Sequence, residues 1–181
     1  MTDTPTFEVD DAIVLILGAP SRSPALRNRV SGITRLEKLF FLLDMETPIG
    51  ARLTEPAGFV PHNFGPFSAA VYQAVETLEA AGLISDSASL SASTEDSWES
   101  EELIDDLPAS RFTTRDFELT EKGRRYYNAL LRELPNDTEQ IVREVKDKFG
   151  ALPLRQLIRY VYTRHEDYTG ESVIRDEILG K

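Results

Sequence analysis

The 181-residue chain contains no cysteine, and it has only two histidines and one tryptophan. Without cysteine there are no disulfides, no cysteine-zinc sites and no thiol nucleophile. The two histidines, His62 and His165, stand alone in the sequence and make a poor zinc site, since a catalytic zinc ion takes three protein ligands. There is also no Gly-x-Gly-x-x-Gly or Gly-Lys-Ser/Thr phosphate-binding pattern. We therefore expect a protein that is not an enzyme and holds no cofactor or metal. A structural turn histidine is the preferred interpretation of His62, and a general base is the alternative.

Long hydrophobic runs are absent as well. The apolar runs, such as Leu39 to Leu43, are far too short to cross a bilayer. The first residues, Met1 to Pro5, have no basic region of the kind that opens a secretory signal. These absences predict a soluble, cytoplasmic protein.

The charge of the chain is concentrated in one segment. The formal net charge is −11. Residues 86–108 hold eight acidic side chains and no basic one, so they contribute −8 and leave −3 for the rest of the chain. This serine-rich, acidic composition predicts a solvent-exposed loop, either a solvated insertion or an acidic arm that docks on a partner. Trp98 is the residue within it that suits a partner or the protein's own core.

Hydrophobic spacing predicts mostly helices. Apolar residues recur at helical spacing in a first helix from Val9 to Leu17, in a second that follows a capping box at Thr34 and Glu37, and in a third from Pro66 to Ala81. Arg111–Thr113 and Phe117–Leu119 predict two short strands. Four further helices are expected, one capped by Thr120, one over 138–149, one after Pro153, and a short one over 172–179.

This order of elements predicts a mainly α fold. Its first unit, residues 8–134, is expected to be a winged-helix-type three-helix core with a small two-stranded β wing, in which 86–108 forms the acidic wing loop. Residues 135–181 are expected to form a C-terminal helical extension packed on that core. The string Leu119-Thr120-Glu121-Lys122-Gly123-Arg124 resembles the end of the wing in MarR- and PadR-like regulators, where threonine caps the next helix and glycine allows close packing.

Three stretches resemble the SocA-like antitoxin (Panacea) group and the YwgA-like proteins. Residues 36–43, Leu-Glu-Lys-Leu-Phe-Phe-Leu-Leu, are similar to their "LQKLLYF" helix, and Asn63-Phe64-Gly65-Pro66 is similar to their "YGP" turn. Residues 154–162 followed by 167–169 resemble their "LI.YVY" tail, although the usual proline is lacking near His165. The resemblance implies a winged-helix-like, non-enzymatic module linked to regulation or toxin neutralisation, and it implies no ligand.

The candidate contacts for DNA or for a protein partner are scattered along the chain. In a helix-turn-helix protein the third helix would enter the major groove, yet here it carries two glutamates and no base. Its polar residues are Ser68, Tyr72 and Gln73. The basic candidates are Arg27, Arg29, Arg35, Lys38, Arg124 and Arg125. These either cluster as a phosphate-binding patch or pair individually with carboxylates, and the sequence leaves both readings open.

The helix after Pro153 mixes aromatic and cationic residues. It favours aromatic packing in the core with Arg155, Arg159 and Arg164 paired to Glu166 and Asp167 over a nucleic-acid platform. The preferred function is thus a non-enzymatic regulatory protein that engages a protein partner, as in toxin neutralisation. The alternative is a sequence-specific DNA-binding transcriptional regulator, and a homodimer is compatible with both.

Overall fold

The computed structural model describes residues 4–90 and 113–180, and these residues are mainly α-helical, as predicted. Trp98 and most of the acidic segment lie outside the described residues. The helices are α1 (Val9–Gly18), α2 (Ile33–Glu46), α3 (Ala69–Ala80), α4 (Glu121–Glu133), α5 (Thr138–Phe149), α6 (Leu154–Arg164) and α7 (Arg175–Leu179). The strands are β1 (Arg29–Ser31), β2 (Val60–His62), β3 (Gly65–Phe67), β4 (Ile84–Leu90) and β5 (Thr113–Leu119).

A three-stranded antiparallel sheet takes the order β1-β5-β4. The predicted pair of short strands is wrong, because residues 113–119 form one strand whose register pairs Leu119 with Ile84 and Thr113 with Leu90. Alternation fits this single strand, since Phe117 and Leu119 are buried and Glu118 is exposed. The acidic connection therefore begins after β4 rather than at Asp86. The sheet also contains β1, which the sequence did not predict because three residues are too few to show an alternating hydrophobic pattern.

A hairpin precedes α3. Strands β2 and β3 pair antiparallel around Asn63 and Phe64, and Gly65 has a φ of 87°, which favours glycine. The predicted start of the third helix at Pro66 is wrong, because Pro66 lies in β3. The helix instead begins after Ser68, whose hydroxyl accepts a hydrogen bond from the Val71 N–H at 3.3 Å.

The second helix also starts differently from the prediction. Its N-cap is Gly32, with a φ of 90°, and no side chain caps it. The predicted capping box is wrong, because the Glu37 carboxylate accepts the backbone N–H of Ser68 at 3.2 Å. A spacing of three residues between threonine and glutamate does not distinguish a capping box from a glutamate that faces another element.

At the junction of α3 and α4, the structure has the glycine and threonine contacts that the sequence predicts. Gly82 has a φ of 73° after α3, and the Leu83 N–H donates to the Leu78 carbonyl at 2.9 Å. The Thr120 hydroxyl caps α4 by accepting from the Gly123 N–H at 3.0 Å. A Cβ on Gly123 would lie 2.0 Å from the Leu83 carbonyl oxygen, so this close packing requires glycine. Both predicted roles, the threonine cap and the glycine contact, are confirmed.

One hydrophobic core runs through the described residues. Its centre is α1, in which every residue from Ala12 to Leu17 is buried. Helices α5 and α6 pack on α2 and contribute buried side chains to the same core, including Phe149, Leu157 and Tyr162. Residues from both predicted units thus share one core. No helix among the described residues is long and apolar enough to span a bilayer.

Candidate functional site

The outward face of α3 is acidic. This helix packs on α1 and β4 through Val71, Ala74, Val75 and Leu78, which are buried. Gln73, Glu76 and Glu79 are exposed on the other side. Within residues 4–90 and 113–180, neither glutamate has an ion-pair partner. The surface that would meet DNA in a helix-turn-helix protein therefore presents two carboxylates and no cation.

The other polar candidates on α3 have different surroundings. Tyr72 is half-buried, and its ring lies 5.2 Å from the Phe67 ring on β3. Ser68 is fully buried, and its hydroxyl donates to the Ala57 carbonyl. Of the predicted contact residues on this helix, only Gln73 is freely exposed.

Two of the cationic candidates are buried. Lys38 is 1% exposed, and its Nζ donates to Glu37 Oε1 at 2.9 Å and to the Pro66 carbonyl at 2.8 Å. Arg35 is 6% exposed and donates to the backbone carbonyls of Gly150 and Leu152. These side chains hold α2 to the hairpin and to the turn after α5. A partner does not reach them in this conformation.

The remaining cationic candidates lie at or near the surface. Arg27, Arg124 and Arg125 are exposed. Arg125 approaches Glu121 at 3.9 Å, with both side chains largely in solvent, so this ion pair contributes little. Arg29 is half-buried, and its guanidinium lies 3.0 Å from the Asp116 carboxylate on β5. Because Lys38 and Arg35 are buried, the six basic candidates do not form one exposed patch. Within the described part of the chain, Arg27 and Arg124 have no ion-pair partner.

The three stretches that carry the family resemblance meet in space. Lys38 of the first stretch binds the carbonyl of Pro66 in the second. A Cβ on Gly65 would lie 2.6 Å from the Tyr162 ring of the third stretch. The lysine, the Gly-Pro pair and the tyrosine thus form one structural junction, which gives a physical reason for their occurrence together.

The aromatic side chains of α6 pack into the core as predicted, but two of its arginines have partners other than those predicted. Tyr162 is fully buried, and Tyr160 packs against Phe149 with ring centroids 4.6 Å apart. The predicted partners of Arg155 and Arg159 are wrong. Arg155 pairs with Glu177 at 3.0 Å, and the Arg159 Nε donates to the Ile178 carbonyl at 2.9 Å. The short α7 lies across α6 and supplies both partners.

One buried lysine, Lys146, was not among the residues predicted from the sequence. Lys146 on α5 is 1% exposed, and its Nζ donates to the carbonyls of Leu17 and Ala19 at 2.7 and 2.9 Å, at the end of α1. Burial lowers its pKa to about 7. The signal that could have found it is its place on the apolar stripe of α5 with Val142, Val145 and Phe149.

Ionisable groups around α1 are also perturbed. Burial and a hydrogen bond to Asp11 raise the pKa of Tyr126 to about 12. Burial and the Glu139 carboxylate raise the pKa of Tyr127 well above its usual range. The backbone N–H of Arg22 and the Ser21 hydroxyl lower the pKa of Asp147. These contacts join α1 to α4, α4 to α5, and α5 to the turn that follows α1.

The described surface includes one open cavity and two histidines that lie apart in the sequence. An open cavity of about 440 Å³ lies beside α5, lined by Arg22, Gln140, Arg143, Glu144, Asp147 and Lys148. His62 is exposed and stacks near Phe67, while His165 lies 2.8 Å from Glu46. Among the described residues, no three histidine, aspartate or glutamate side chains are grouped so that they could hold a metal ion.

No protein-family model, curated protein or solved structure matches this chain.

Proposed function

We propose that this chain is a non-enzymatic, winged-helix-type regulatory module that engages a protein partner rather than DNA. The fold assignment is supported by strand order. A short β1 between α1 and α2, followed by α3 and the β4–β5 pair, places β1 beside β5 in the order β1-β5-β4, which is the arrangement expected of a winged-helix domain with its wing at the β4–β5 connection.

The observation that carries the choice of partner is the outward face of α3. Glu76 and Glu79 are exposed there, and α3 has no lysine or arginine. Protein–DNA affinity comes largely from cations that displace counterions from phosphates, so this face would repel a DNA backbone. A protein with a basic surface has the complementary charge.

The acidic segment supports the same conclusion. The strands β4 and β5 precede and follow most of this segment in the chain. Residues 86–108 carry eight acids and no base. The resemblance to the SocA-like group makes a toxin-like or regulatory protein the partner class that we propose.

The test is a binding experiment with a matched variant. In the variant, the acids between 95 and 106 are replaced by asparagine or glutamine, so that chain length is kept. We expect the wild-type chain to co-purify with a basic protein at low salt and the neutral variant to lose it. A partner retained equally by the variant would contradict the role of the acidic segment.

A sequence-specific DNA-binding regulator is the second candidate, favoured by the exposure of Arg27, Arg124 and Arg125. It predicts a salt-sensitive electrophoretic shift of DNA from upstream of the protein's own gene, abolished by alanine at these three positions. If that shift is observed, it replaces the proposal above. Arg35 is unsuitable for this test because its substitution would disturb the buried contacts to residues 150 and 152.

A further inference from the structure

Helices α3 and α4 present outward faces of opposite charge. On α3 the face consists of Gln73, Glu76 and Glu79, which we call the acidic face. On α4 it consists of Arg124, Arg125 and Arg132, which we call the arginine face. All six side chains are exposed. Within the described residues the one ion pair on either face is the 3.9 Å contact of Arg125 with Glu121.

An exposed tyrosine flanks the arginine face, which also contains Glu121. Tyr126 lies on the same helix and is 38% exposed, one of few large hydrophobic side chains exposed in the described part of the chain. Its hydroxyl donates to Asp11, which fixes the ring. Tyrosine and arginine are enriched at protein interfaces, because they bring large contact areas and several hydrogen bonds.

The two faces are held in a fixed relation. The end of α3 meets the start of α4, where the Thr120 N–H donates to the Leu83 carbonyl at 3.1 Å and Lys122 donates to the Ala81 carbonyl at 2.7 Å. Both helices also pack on α1. The faces point outward and do not pair with each other within one molecule. Their charges therefore remain available to another molecule.

Geometry favours a second copy of the chain. Helix α3 has 12 residues and α4 has 13. At 1.5 Å per residue these helices are about 18 and 20 Å long, so each covers the other along its whole length. An isologous dimer requires both faces to lie on one side of each molecule, so that a twofold axis places both acidic faces on arginine faces at once.

We propose that the chain forms a twofold homodimer in which α3 of each copy lies against α4 of the other. This interface and the protein partner proposed above use the same acidic face of α3, so the two compete for it. The variant proposed above for the acidic segment leaves α3 unchanged, so a failure of the partner interaction is distinguishable from a failure of the dimer. Two helix faces of this size bury less than a standard interface of about 800 Å² per partner. The dimer is therefore weak, concentration-dependent and sensitive to salt, because its charges lie at the surface.

The test is a charge-reversal experiment with three chains. One carries Glu76→Lys and Glu79→Lys, the second carries Arg124→Glu and Arg132→Glu, and the third carries all four changes. Sedimentation velocity at low salt measures the dimer, and circular dichroism checks the fold. We expect the first two chains to be monomers alone, because each would bring like charges together twice.

Mixing the first two chains gives the decisive result. In the mixed dimer, the reversed α3 of the first chain meets the reversed α4 of the second, and the unchanged α4 of the first meets the unchanged α3 of the second. Opposite charges face each other in both contacts, so the heterodimer forms. The third chain dimerises alone for the same reason. In each reversed chain alone, the dissociation constant is expected to rise by about tenfold or more, as for other close charge pairs at interfaces.

A matched control for the first chain carries Glu55→Lys and Glu171→Lys, which change the net charge by the same amount at exposed positions outside both helices. This control is expected to dimerise like the wild type. A wild-type chain that stays monomeric at low salt up to about millimolar concentration, at which weak interfaces form, overturns the proposal. A dimer that persists unchanged in either reversed chain, or a mixture that does not associate, overturns it as well.

Discussion

Lys38 and Lys146 are equally buried, each 1% exposed, yet they are stabilised differently. Lys38 meets a carboxylate, Glu37, and the carbonyl of Pro66 at the junction of α2 with the hairpin. Lys146 meets only the carbonyls of Leu17 and Ala19 at the end of α1, and no carboxylate lies within ion-pair distance among the described residues. The first junction depends on a neutralised ion pair. The second junction depends on hydrogen bonds from Lys146 to the C-terminal end of α1. Its stability should depend on pH, because burial lowers the pKa of this lysine to about 7.

The largest effect is expected at the first junction. Replacing Glu37 with methionine leaves the Lys38 ammonium buried beside a single carbonyl, and the loss of one partner from a buried ion pair costs about 3 to 5 kcal/mol in the free energy of unfolding. Urea denaturation followed by circular dichroism measures this loss. The double variant Glu37→Met, Lys38→Met should recover much of the stability, because neither charge is then left unpaired. A single variant as stable as the wild type would show that the ion pair does not hold this junction.

The second junction should make stability depend on pH. The unfolded chain holds the Lys146 proton up to its usual pKa of 10.5, whereas the folded chain releases it near pH 7. Between these values the unfolded state binds more protons, so stability rises with pH, by about 2 kcal/mol from pH 7 to pH 9. Denaturation at constant ionic strength over this range measures the slope.

Lys146→Met is the control for that slope, since it removes the titrating group. Measurements should stop near pH 9, because the pKa of Tyr126 is raised to about 12 in the folded chain. Above the ordinary tyrosine pKa of 10.0, the unfolded chain loses this proton while the folded chain keeps it, so the free energy of unfolding falls as the pH rises. An equal slope in the wild type and in Lys146→Met would assign the pH dependence to another group.

A smaller effect is expected from Ser68, which adjoins the first junction. Ser68→Ala removes the N-cap of α3 but keeps the backbone N–H that binds Glu37, and loss of a cap costs about 1 kcal/mol, up to about 2. Thr120→Ala removes the cap of α4 far from either lysine and serves for comparison. A loss as large as that of Glu37→Met would mean that the serine, rather than the ion pair, organises the hairpin junction.

The smallest effect concerns Asp147, whose negative charge raises the pKa of Lys146 against the larger effect of burial. Asp147→Asn should move the lower end of the pH-dependent range to lower pH by less than about one unit, which is the order of a single nearby charge. The same denaturation series measures it. A shift to higher pH would contradict the assigned sign.

Local signals in the sequence predicted much of the helical fold. The period of α3, the Thr120 cap, the glycine at 82 and the helix after Pro153 each depend on neighbours within a few residues, and each is found in the structure. The three-residue β1 was missed because its only strong contact is with β5, nearly ninety positions later in the chain. Local spacing contains no information about such a pair.

The candidate site was harder to predict for the same reason. Lys38 and Arg35 look like surface cations until the carbonyls that they bind, at residues 66, 150 and 152, are brought to them by the fold. The α2 sequence did contain one warning, because Phe41 and Leu42 widen its apolar stripe and every residue from Ile33 to Leu43 is buried. A cation within such a helix is better read as a structural residue.

Gly123 has a consequence beyond the stability of α4. With a backbone oxygen 2.0 Å from where its Cβ would be, no side chain fits between the end of α3 and the start of α4. Any residue larger than glycine must push these helices apart, and the distance between the acidic and arginine faces changes with them. Selection for partner recognition would therefore act on an uncharged residue that touches no partner, and alanine at position 123 could alter specificity without altering the surface chemistry.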